Sequence, residues 1–110
     1  MARPSKPAVR GSRSGKPLMA FFDLVGRRWA LRVLWELRAG QLTSRELRLA
    51  CGGISPTVVS DRSRELREAG LVELEETGGY VLTALGTELV ERFLPLAAWS
   101  ERWAQASSKM

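Results

Sequence analysis

The sequence predicts a mainly helical α+β fold in which three helices precede a two-stranded hairpin and a last, C-terminal helix. Apolar residues recur at helical spacing from about Leu18 to Gly70 and again beyond Thr83. Between these segments, two short apolar runs flank a Thr-Gly-Gly turn, which is typical of a β-hairpin. A chain of 110 residues has the length of a single domain with one hydrophobic core.

Residues 1–17 are predicted to form a flexible basic arm ahead of a folded domain, residues 18–110. The arm is rich in Pro, Gly and Ser and has too few apolar residues to offset the entropy of ordering. It has no acidic residue, and its basic residues are Arg3, Lys6, Arg10, Arg13 and Lys16. The net charge is +5, so the rest of the chain is neutral overall, with a basic segment at 26–67 and an acidic one at 68–110. This distribution favours a polyanionic partner such as nucleic acid, although a solvated arm on a dipolar surface explains it equally well.

The first helical segment has a broad apolar stripe that stops before Gly40. Its members are Phe21, Phe22, Val25, Trp29, Ala30, Val33, Leu34 and Leu37. The stripe is compatible with one long helix or with two helices that meet at a bend at Gly26. Arg27 and Arg28 follow this glycine at a helix N-terminus, where the macrodipole disfavours cations. Either a phosphate contact or solvent exposure is therefore expected for these two arginines.

A short second helix and a third helix follow, and both have clear start signals. Thr43 precedes Glu46 by three residues, which predicts a capping box, and a Gly-Gly pair ends the short helix. Ser55 then caps the third helix, with Pro56 in its first position, and this helix extends to Gly70. A short helix, a glycine-containing turn and a second helix together predict a helix-turn-helix.

The hairpin and the last helix complete the order of elements. The segments LVELEE and YVLT flank the Thr-Gly-Gly turn, and they make the hairpin the two-stranded wing of a winged helix-turn-helix. Thr83 caps the last helix, which Pro95 should bend or break. One side of that helix carries the apolar residues Leu85, Leu89, Phe93, Leu96, Trp99 and Trp103.

The third helix, residues 55–69, is predicted to be a recognition helix that enters the DNA major groove. Val59, Ser63 and Leu66 follow the inward spacing, which leaves polar side chains on the outward face. Ser and Thr hydroxyls bind phosphates or base edges, and Arg can bind guanine with two hydrogen bonds. The expected DNA contacts, which include the start of the short helix and the hairpin turn, are Thr43, Ser44, Arg45, Ser55, Thr57, Ser60, Asp61, Arg62, Arg64, Thr77 and Gly78. The alternative interpretation is an ordinary solvated helix face.

The composition gives less support to other classes of function. The chain has no His, so it lacks Ser-His and Cys-His pairs and the usual metal clusters, and we expect neither an enzyme nor a cofactor. No apolar run is long enough to span a bilayer, and the single cysteine, Cys51, suits a reducing cytoplasm. We therefore expect a cytoplasmic protein that makes no membrane contact and has double-stranded DNA as its partner. The runner-up is a winged-helix protein-interaction module that does not read bases. Asp61 suggests this alternative, because its carboxylate would repel phosphates unless it accepts a hydrogen bond from a cytosine base.

Several motifs resemble the HxlR-type branch of winged-helix bacterial transcription regulators, which is related to the MarR group. From residue 16 to about residue 103 they are DLVGRRW, LTSRELRLACGGISPTVVSDRSRELREAGLVE, YVLTALGTEL and LPLAAWSERW. Each motif alone is weakly specific, whereas the whole set in the correct order and spacing is specific. The resemblance implies a DNA-binding homodimer that regulates nearby genes, and we expect a repressor with an inverted-repeat operator and a C-terminal dimerisation helix. The implied dimer contacts, from the first and last helices, are Phe21, Phe22, Leu89, Phe93, Leu96, Trp99 and Trp103.

Three features depart from the pattern of that family. Many members have a sensing cysteine directly before a proline at the edge of the first helix, and the corresponding pair here is Lys16-Pro17. A large apolar residue is expected at Ser63, and the hairpin turn lacks the Pro-rich, often basic extension of many relatives. The usual thiol switch is therefore absent, and few wing contacts to DNA are expected.

Without the usual thiol switch, we expect any regulatory signal to act through a different kind of site. Cys51 is expected to be a small buried apolar residue, with a redox role as the alternative. A small-molecule effector should therefore bind non-covalently between the dimer helices. The tryptophans, interpreted as core or interface residues with an aromatic effector pocket as the alternative, are Trp29, Trp35, Trp99 and Trp103.

Overall fold

The computed structural model describes residues 16–108 and has the predicted mainly helical winged helix-turn-helix fold. Its helices are α1 (Pro17–Val25), α2 (Ala30–Glu36), α3 (Ser44–Ala50), α4 (Pro56–Glu68), α5 (Ala84–Phe93) and α6 (Leu96–Ser108). Its strands are β1 (Leu42–Thr43), β2 (Val72–Leu74) and β3 (Gly79–Leu82), and a single 3-10 turn at Leu37–Ala39 extends α2. Most of the arm predicted at residues 1–17 lies outside the described residues, so the division of the chain at residue 18 stays a prediction.

The first helical segment is two helices, so the alternative of one long helix is wrong. The chain leaves α1 at Gly26, where an added Cβ would lie 2.7 Å from the carbonyl oxygen of Phe22. It enters α2 through Trp29, which has a left-handed φ of 78°. This conformation is rare for a bulky residue, and the packing of the partly buried indole ring against the core offsets its cost.

The hydrophobic core lies where α2, α3 and α4 meet the sheet and α5. Its buried residues are Val33, Leu34, Leu37, Leu47, Cys51, Val59, Leu66, Leu71, Val72 and Val90. The predicted inward positions of the third helix are confirmed, because Val59, Ser63 and Leu66 are the buried residues of α4. Ser63 is polar, and its hydroxyl oxygen has no hydrogen-bond partner within the described part of the chain.

The wing belongs to a three-stranded antiparallel sheet with the strand order β1-β3-β2. β2 and β3 form the predicted hairpin, in which Val72 lies opposite Leu82. β1 is missing from the predicted elements, because it has only two residues and Leu42 pairs with Tyr80, far away in the sequence. Since β1 leads directly into α3, the sheet fixes the position at which the helix-turn-helix begins.

Pro95 breaks the C-terminal helix, as predicted, into the separate helices α5 and α6. The start of α5 is fixed by Thr83, whose hydroxyl donates to the Gly70 carbonyl at 2.7 Å and accepts from the Gly86 amide at 3.0 Å. Gly86 lies against the Leu71 carbonyl, which an added Cβ would overlap. None of the described residues of α1 or α6 is buried. Among residues 16–108, no helix has both the length and the apolar character needed to cross a membrane.

Candidate nucleic-acid interface

The helix-turn-helix begins with the predicted capping box, which fixes the start of α3. The Thr43 hydroxyl accepts a hydrogen bond from the Glu46 amide at 3.0 Å, and the Glu46 carboxylate accepts one from the Thr43 amide at 2.9 Å. These bonds satisfy backbone donors at the start of the helix. Ser44 and Arg45, the next two predicted DNA contacts, are exposed in the first turn of α3.

The turn between α3 and α4 is fixed by two glycines and two arginines. The glycines at 52–53 have φ values of 89° and 85°, which residues with side chains rarely adopt. Arg48 donates from Nε to the Ile54 carbonyl at 2.8 Å. Arg32 of α2 donates to the Ala50 carbonyl at 2.8 Å and so satisfies an acceptor at the C-terminus of α3. The relative positions of α3 and α4 therefore depend on specific hydrogen bonds as well as on the core.

Helix α4 has the predicted cap and presents a polar face to solvent. The Ser55 hydroxyl accepts from the Val58 amide at 3.1 Å, which caps the helix. Thr57, Ser60 and Arg64 are exposed, whereas the positions between them are buried or half-buried. Hydroxyl and guanidinium groups of this kind can donate to phosphate oxygens or to the edges of bases.

Arg62 does not extend from the outward face of α4, contrary to its predicted role as a DNA contact. Its side chain is only 11% exposed, and its Nε lies 3.4 Å from Oε1 of Glu65. This distance marks an ion pair rather than a well-formed hydrogen bond, and Nε has no hydrogen-bond partner among residues 16–108. Helical spacing explains this position, because residue 62 follows Val59 by three positions and so lies beside the buried side of the helix.

The arginine pair that follows α1 contacts the protein itself. Nη2 of Arg27 lies 3.3 Å from Oε2 of Glu65, so this carboxylate joins the α1–α2 connection to α4. The guanidinium of Arg28 lies over the Trp29 ring, 5.3 Å from its centroid, in a cation–π contact. Both arginines are nevertheless exposed, so the phosphate contact that the sequence leaves open stays a prediction for either one.

The outward face of α4 also contains an ion pair that is missing from the sequence-based expectations. Nη1 of Arg64 donates to Oδ1 of Asp61 at 3.2 Å, and the two residues lie one helical turn apart. The side chains of both remain accessible to solvent. Asp61, which alone would repel phosphates, thus has a cationic group beside it.

The hairpin turn carries the predicted contacts Thr77 and Gly78, and both are exposed. The Thr77 hydroxyl accepts from the side-chain amide of Gln41 at 2.8 Å, so the turn is tied to the residue before β1. Gly78 has a φ of 99°, a conformation that favours glycine. The hairpin has no basic residue, and its acidic residues are Glu73, Glu75 and Glu76. Its charge is therefore unfavourable for close contact with phosphates.

The predicted dimer contacts differ in their burial. Leu89 and Phe93 of α5 are partly buried against the core of their own chain, and Phe93 stacks on Trp35 with 6.2 Å between ring centroids. Phe21 is also partly buried. The two tryptophans of α6 stack with their ring centroids 6.0 Å apart. The remaining predicted contacts are 50–58% exposed, and they are Phe22, Leu96, Trp99 and Trp103.

Cys51 is buried in the core at the C-terminal end of α3, in agreement with its predicted role as a small apolar residue. Burial raises the pKa of its thiol, Arg32 acts in the opposite direction, and Glu36 adds to the increase. A raised pKa favours the protonated thiol, which is a poor nucleophile. Among residues 16–108, no group of cysteine and carboxylate side chains is arranged to hold a metal ion.

Residues 24–108 match the sequence profile of the family described as HxlR-like helix-turn-helix. Among curated protein sequences, none matches the chain significantly. The assignment to a family therefore depends on the family profile and not on a single curated relative. The matched residues include the end of α1, α2 to α6 and the whole hairpin.

Solved structures share this fold over most of their length. The chain is 28% identical to quinone-bound YodB from B. subtilis, with a TM-score of 0.70 and coverage of 77% of this chain and 96% of that one. It is 28% identical to a candidate transcriptional regulator of the MarR family from Enterococcus faecalis V583. The TM-score is 0.68, and the match covers 91% of this chain and 99% of that one. A candidate HxlR family transcriptional factor from Thermoplasma volcanium GSS1 has 24% identity, a TM-score of 0.72 and coverage of 82% and 86%, which shows the fold alone.

Proposed function

This chain belongs to the HxlR-like helix-turn-helix family of DNA-binding transcription regulators, and from that premise we propose that it is a homodimeric repressor of an inverted-repeat operator. The observation that carries the proposal is the exposed polar face of α4, which begins at a capped N-terminus and follows a hydrogen-bonded turn. A helix in this position of a helix-turn-helix enters the major groove.

The proposed DNA contacts have two kinds of role. Arg64 reads a base edge, and Thr57 and Ser60 bind base edges or phosphates from the same face. The other contacts position the protein on the sugar-phosphate backbone, chiefly from the starts of α3 and α4. The contacts from the hairpin turn are weaker, because the neighbouring Glu75 and Glu76 oppose the approach of phosphates. These positioning residues are Thr43, Ser44, Arg45, Ser55, Thr77 and Gly78. Because the Thr43 and Ser55 hydroxyls accept from backbone amides, each can still donate its own proton to a phosphate oxygen.

Exposed apolar side chains on α1 and α6 support the homodimer. They are Leu18, Met19 and Phe22 in α1, and Leu96, Trp99 and Trp103 in α6. Soluble monomers rarely expose contiguous apolar patches of more than a few hundred Å². A two-fold dimer through these helices would place its two α4 helices roughly 34 Å apart, one turn of DNA, which is why we propose an inverted repeat.

The proposed signal is a small molecule that binds between the dimer helices without a covalent bond. The similar YodB structure holds a quinone, and the aromatic side chains of α6 offer stacking surfaces to a planar compound. Covalent capture has less support, because residue 16 is a lysine and Cys51 is buried. A dimer bound over a promoter competes with RNA polymerase, so repression is the proposed sign of regulation.

Selection of bound sequences from a random DNA pool tests this function. We expect an inverted repeat whose half-site centres lie about one helical turn, 10 base pairs, apart, bound at least roughly 10³-fold more tightly than random DNA at physiological salt. A reporter gene behind a promoter that contains the selected site should be expressed less when the protein is present. Equal affinity for selected and random DNA would contradict the proposal.

A second candidate is a winged-helix module that binds another protein, and the acidic hairpin favours it. Glu73, Glu75 and Glu76 would repel DNA but could bind a basic segment of a protein. The same selection experiment separates the two functions, because a protein-interaction module would enrich no DNA sequence.

A further inference from the structure

We propose that Asp61 is a positioning residue that holds Arg64 in the orientation in which it reads a guanine, and thereby determines the base preference at one operator position. This inference rests on the proposed function, because it concerns how α4 reads DNA. It begins from the 3.2 Å contact between Nη1 of Arg64 and Oδ1 of Asp61 on the outward face of the helix.

The geometry of the pair suits a reading role. Long helical side chains lean towards the N-terminus of their helix, so Arg64 extends back over Asp61, towards the part of α4 that enters the groove first. The contact involves only one of the terminal nitrogens of the guanidinium. Because the guanidinium has five N–H donors, its Nε and Nη2 edge can still bind N7 and O6 of guanine together.

Stability alone gives little reason for an acid at this position. Both side chains are partly exposed, and exposed ion pairs of this spacing contribute little to folding. On a surface that meets phosphates, an unpaired carboxylate would also weaken binding to every DNA sequence. Asp61 is thus unfavourable for general DNA affinity, and this disadvantage is balanced only if it improves discrimination between sequences.

The pair can improve discrimination by restricting the motion of Arg64 before DNA arrives. A free arginine side chain loses rotamer entropy when it is fixed against a base. An arginine already held by Asp61 loses less, so the correct guanine is bound at lower cost. A held arginine also adapts less readily to a wrong base or to a phosphate, which penalises other sequences.

The test compares the parent protein with Asp61→Asn, Arg64→Ala and the double variant. Affinity is measured on the selected operator, on random DNA and on operators with each half-site base changed in turn. Asp61→Asn keeps the size of the side chain and an oxygen acceptor but removes the charge, so the charged hydrogen bond to Arg64 becomes a weaker, neutral one. The matched control is Glu88→Gln, which removes an exposed carboxylate that pairs with Arg92 at 2.6 Å on α5, away from the proposed interface.

We expect Asp61→Asn to bind random DNA more tightly and to lose about tenfold of the preference at one base position, the same position that Arg64→Ala relaxes. The double variant should lose no further preference there, and Glu88→Gln should retain the pattern of the parent. Unchanged thermal unfolding of Asp61→Asn would confirm that the effect does not come from folding.

Two results would overturn the inference while leaving the proposed function intact. If Asp61→Asn tightens binding to all sequences equally and keeps every base preference, Asp61 is only a repulsive charge. If it relaxes a position that Arg64→Ala leaves unchanged, Asp61 reads a base directly. A parent protein without any sequence preference would instead reject the proposed function, and this inference with it.

Discussion

Glu65 of α4 contacts two arginines, one with each carboxylate oxygen. Its Oε2 lies 3.3 Å from Nη2 of Arg27 in the α1–α2 connection, and its Oε1 lies 3.4 Å from Nε of Arg62. The two arginines differ in their surroundings, because the side chain of Arg27 is 55% exposed and that of Arg62 only 11%. One carboxylate therefore joins α4 to the segment that follows α1, and it also neutralises a nearly buried cation.

Removal of Glu65 should consequently destabilise the fold more than removal of Arg27. Glu65→Gln leaves the nearly buried Arg62 without its anionic partner, and we expect the free energy of unfolding to fall by about 1–3 kcal/mol. Arg27→Ala removes a largely exposed contact, for which we expect a loss of about 0–1 kcal/mol. Urea unfolding of both variants measures the difference, and equal losses would contradict this account of Glu65.

Ser63 should be replaceable by alanine with a gain in stability. Its buried hydroxyl has no hydrogen-bond partner within residues 16–108, so the variant removes an unsatisfied polar group from the core. Alanine also has a higher helix propensity than serine. From the two effects together we expect the free energy of unfolding to rise by about 1–2 kcal/mol. Ser60→Ala, at an exposed position of the same helix, is the matched control and should gain only about 0.5 kcal/mol. Similar gains in the two variants would show that the Ser63 hydroxyl carries no cost.

The stacked tryptophans of α6 give a test of the proposed dimer. Replacement of Trp99 or Trp103 by glutamate puts a charge into the apolar surface, and we expect the dimer dissociation constant to rise by about tenfold or more. Leu49→Glu in α3 is the control, because Leu49 is 60% exposed but lies outside α1 and α6. Sedimentation equilibrium measures all three variants. A parent protein that is monomeric at micromolar concentration would reject the dimer directly.

The predicted basic arm should contribute affinity without sequence preference. A variant without residues 2–15 loses Arg3, Lys6, Arg10 and Arg13. We expect it to bind all DNA more weakly, and its logarithmic salt dependence should decrease by about 0.9 for each lost phosphate contact. Replacement of the same four residues by glutamine keeps the length of the arm and should have the same effect. A change in the selected operator sequence would mean that the arm reads bases.

The features predicted from the sequence are those that depend on neighbouring residues. The capping box of Thr43 and Glu46, the cap at Ser55 and the break at Pro95 each follow from a few adjacent positions, and all are present in the structure. β1 could not be predicted in this way, because its two residues form a strand only through pairing with Tyr80 and Gly79.

Side-chain direction sets a similar limit on the candidate site. Helical spacing correctly separates Val59, Ser63 and Leu66 from Thr57 and Ser60. The same spacing places residue 62 at the boundary of the buried side, because this residue follows Val59 by three positions and precedes Leu66 by four. At that boundary the Arg62 side chain forms an ion pair with Glu65. The sequence pattern does not give the direction of the Arg62 side chain, on which this ion pair depends.

The last prediction is that oxidation of thiols does not control this protein. Cys51 is the only cysteine, and it is buried in the core. Burial raises the pKa of its thiol, the charge of Arg32 opposes this effect, and Glu36 adds to it. At neutral pH the thiol is therefore protonated, and both this state and its burial slow its attack on oxidants. Residue 16, which precedes the proline at the start of α1, is a lysine and cannot form a disulfide.

Operator affinity measured with and without diamide at pH 7 tests this prediction. We expect the affinity of the parent to change by less than about twofold, well below the tenfold change that corresponds to 1.4 kcal/mol. Cys51→Ser should behave in the same way. Lys16→Cys in the Cys51→Ser background, with a thiol at an exposed position, is the positive control and should react readily with a thiol reagent. A tenfold loss of affinity in the parent that disappears in Cys51→Ser would show that Cys51 becomes accessible in solution and acts as a redox switch.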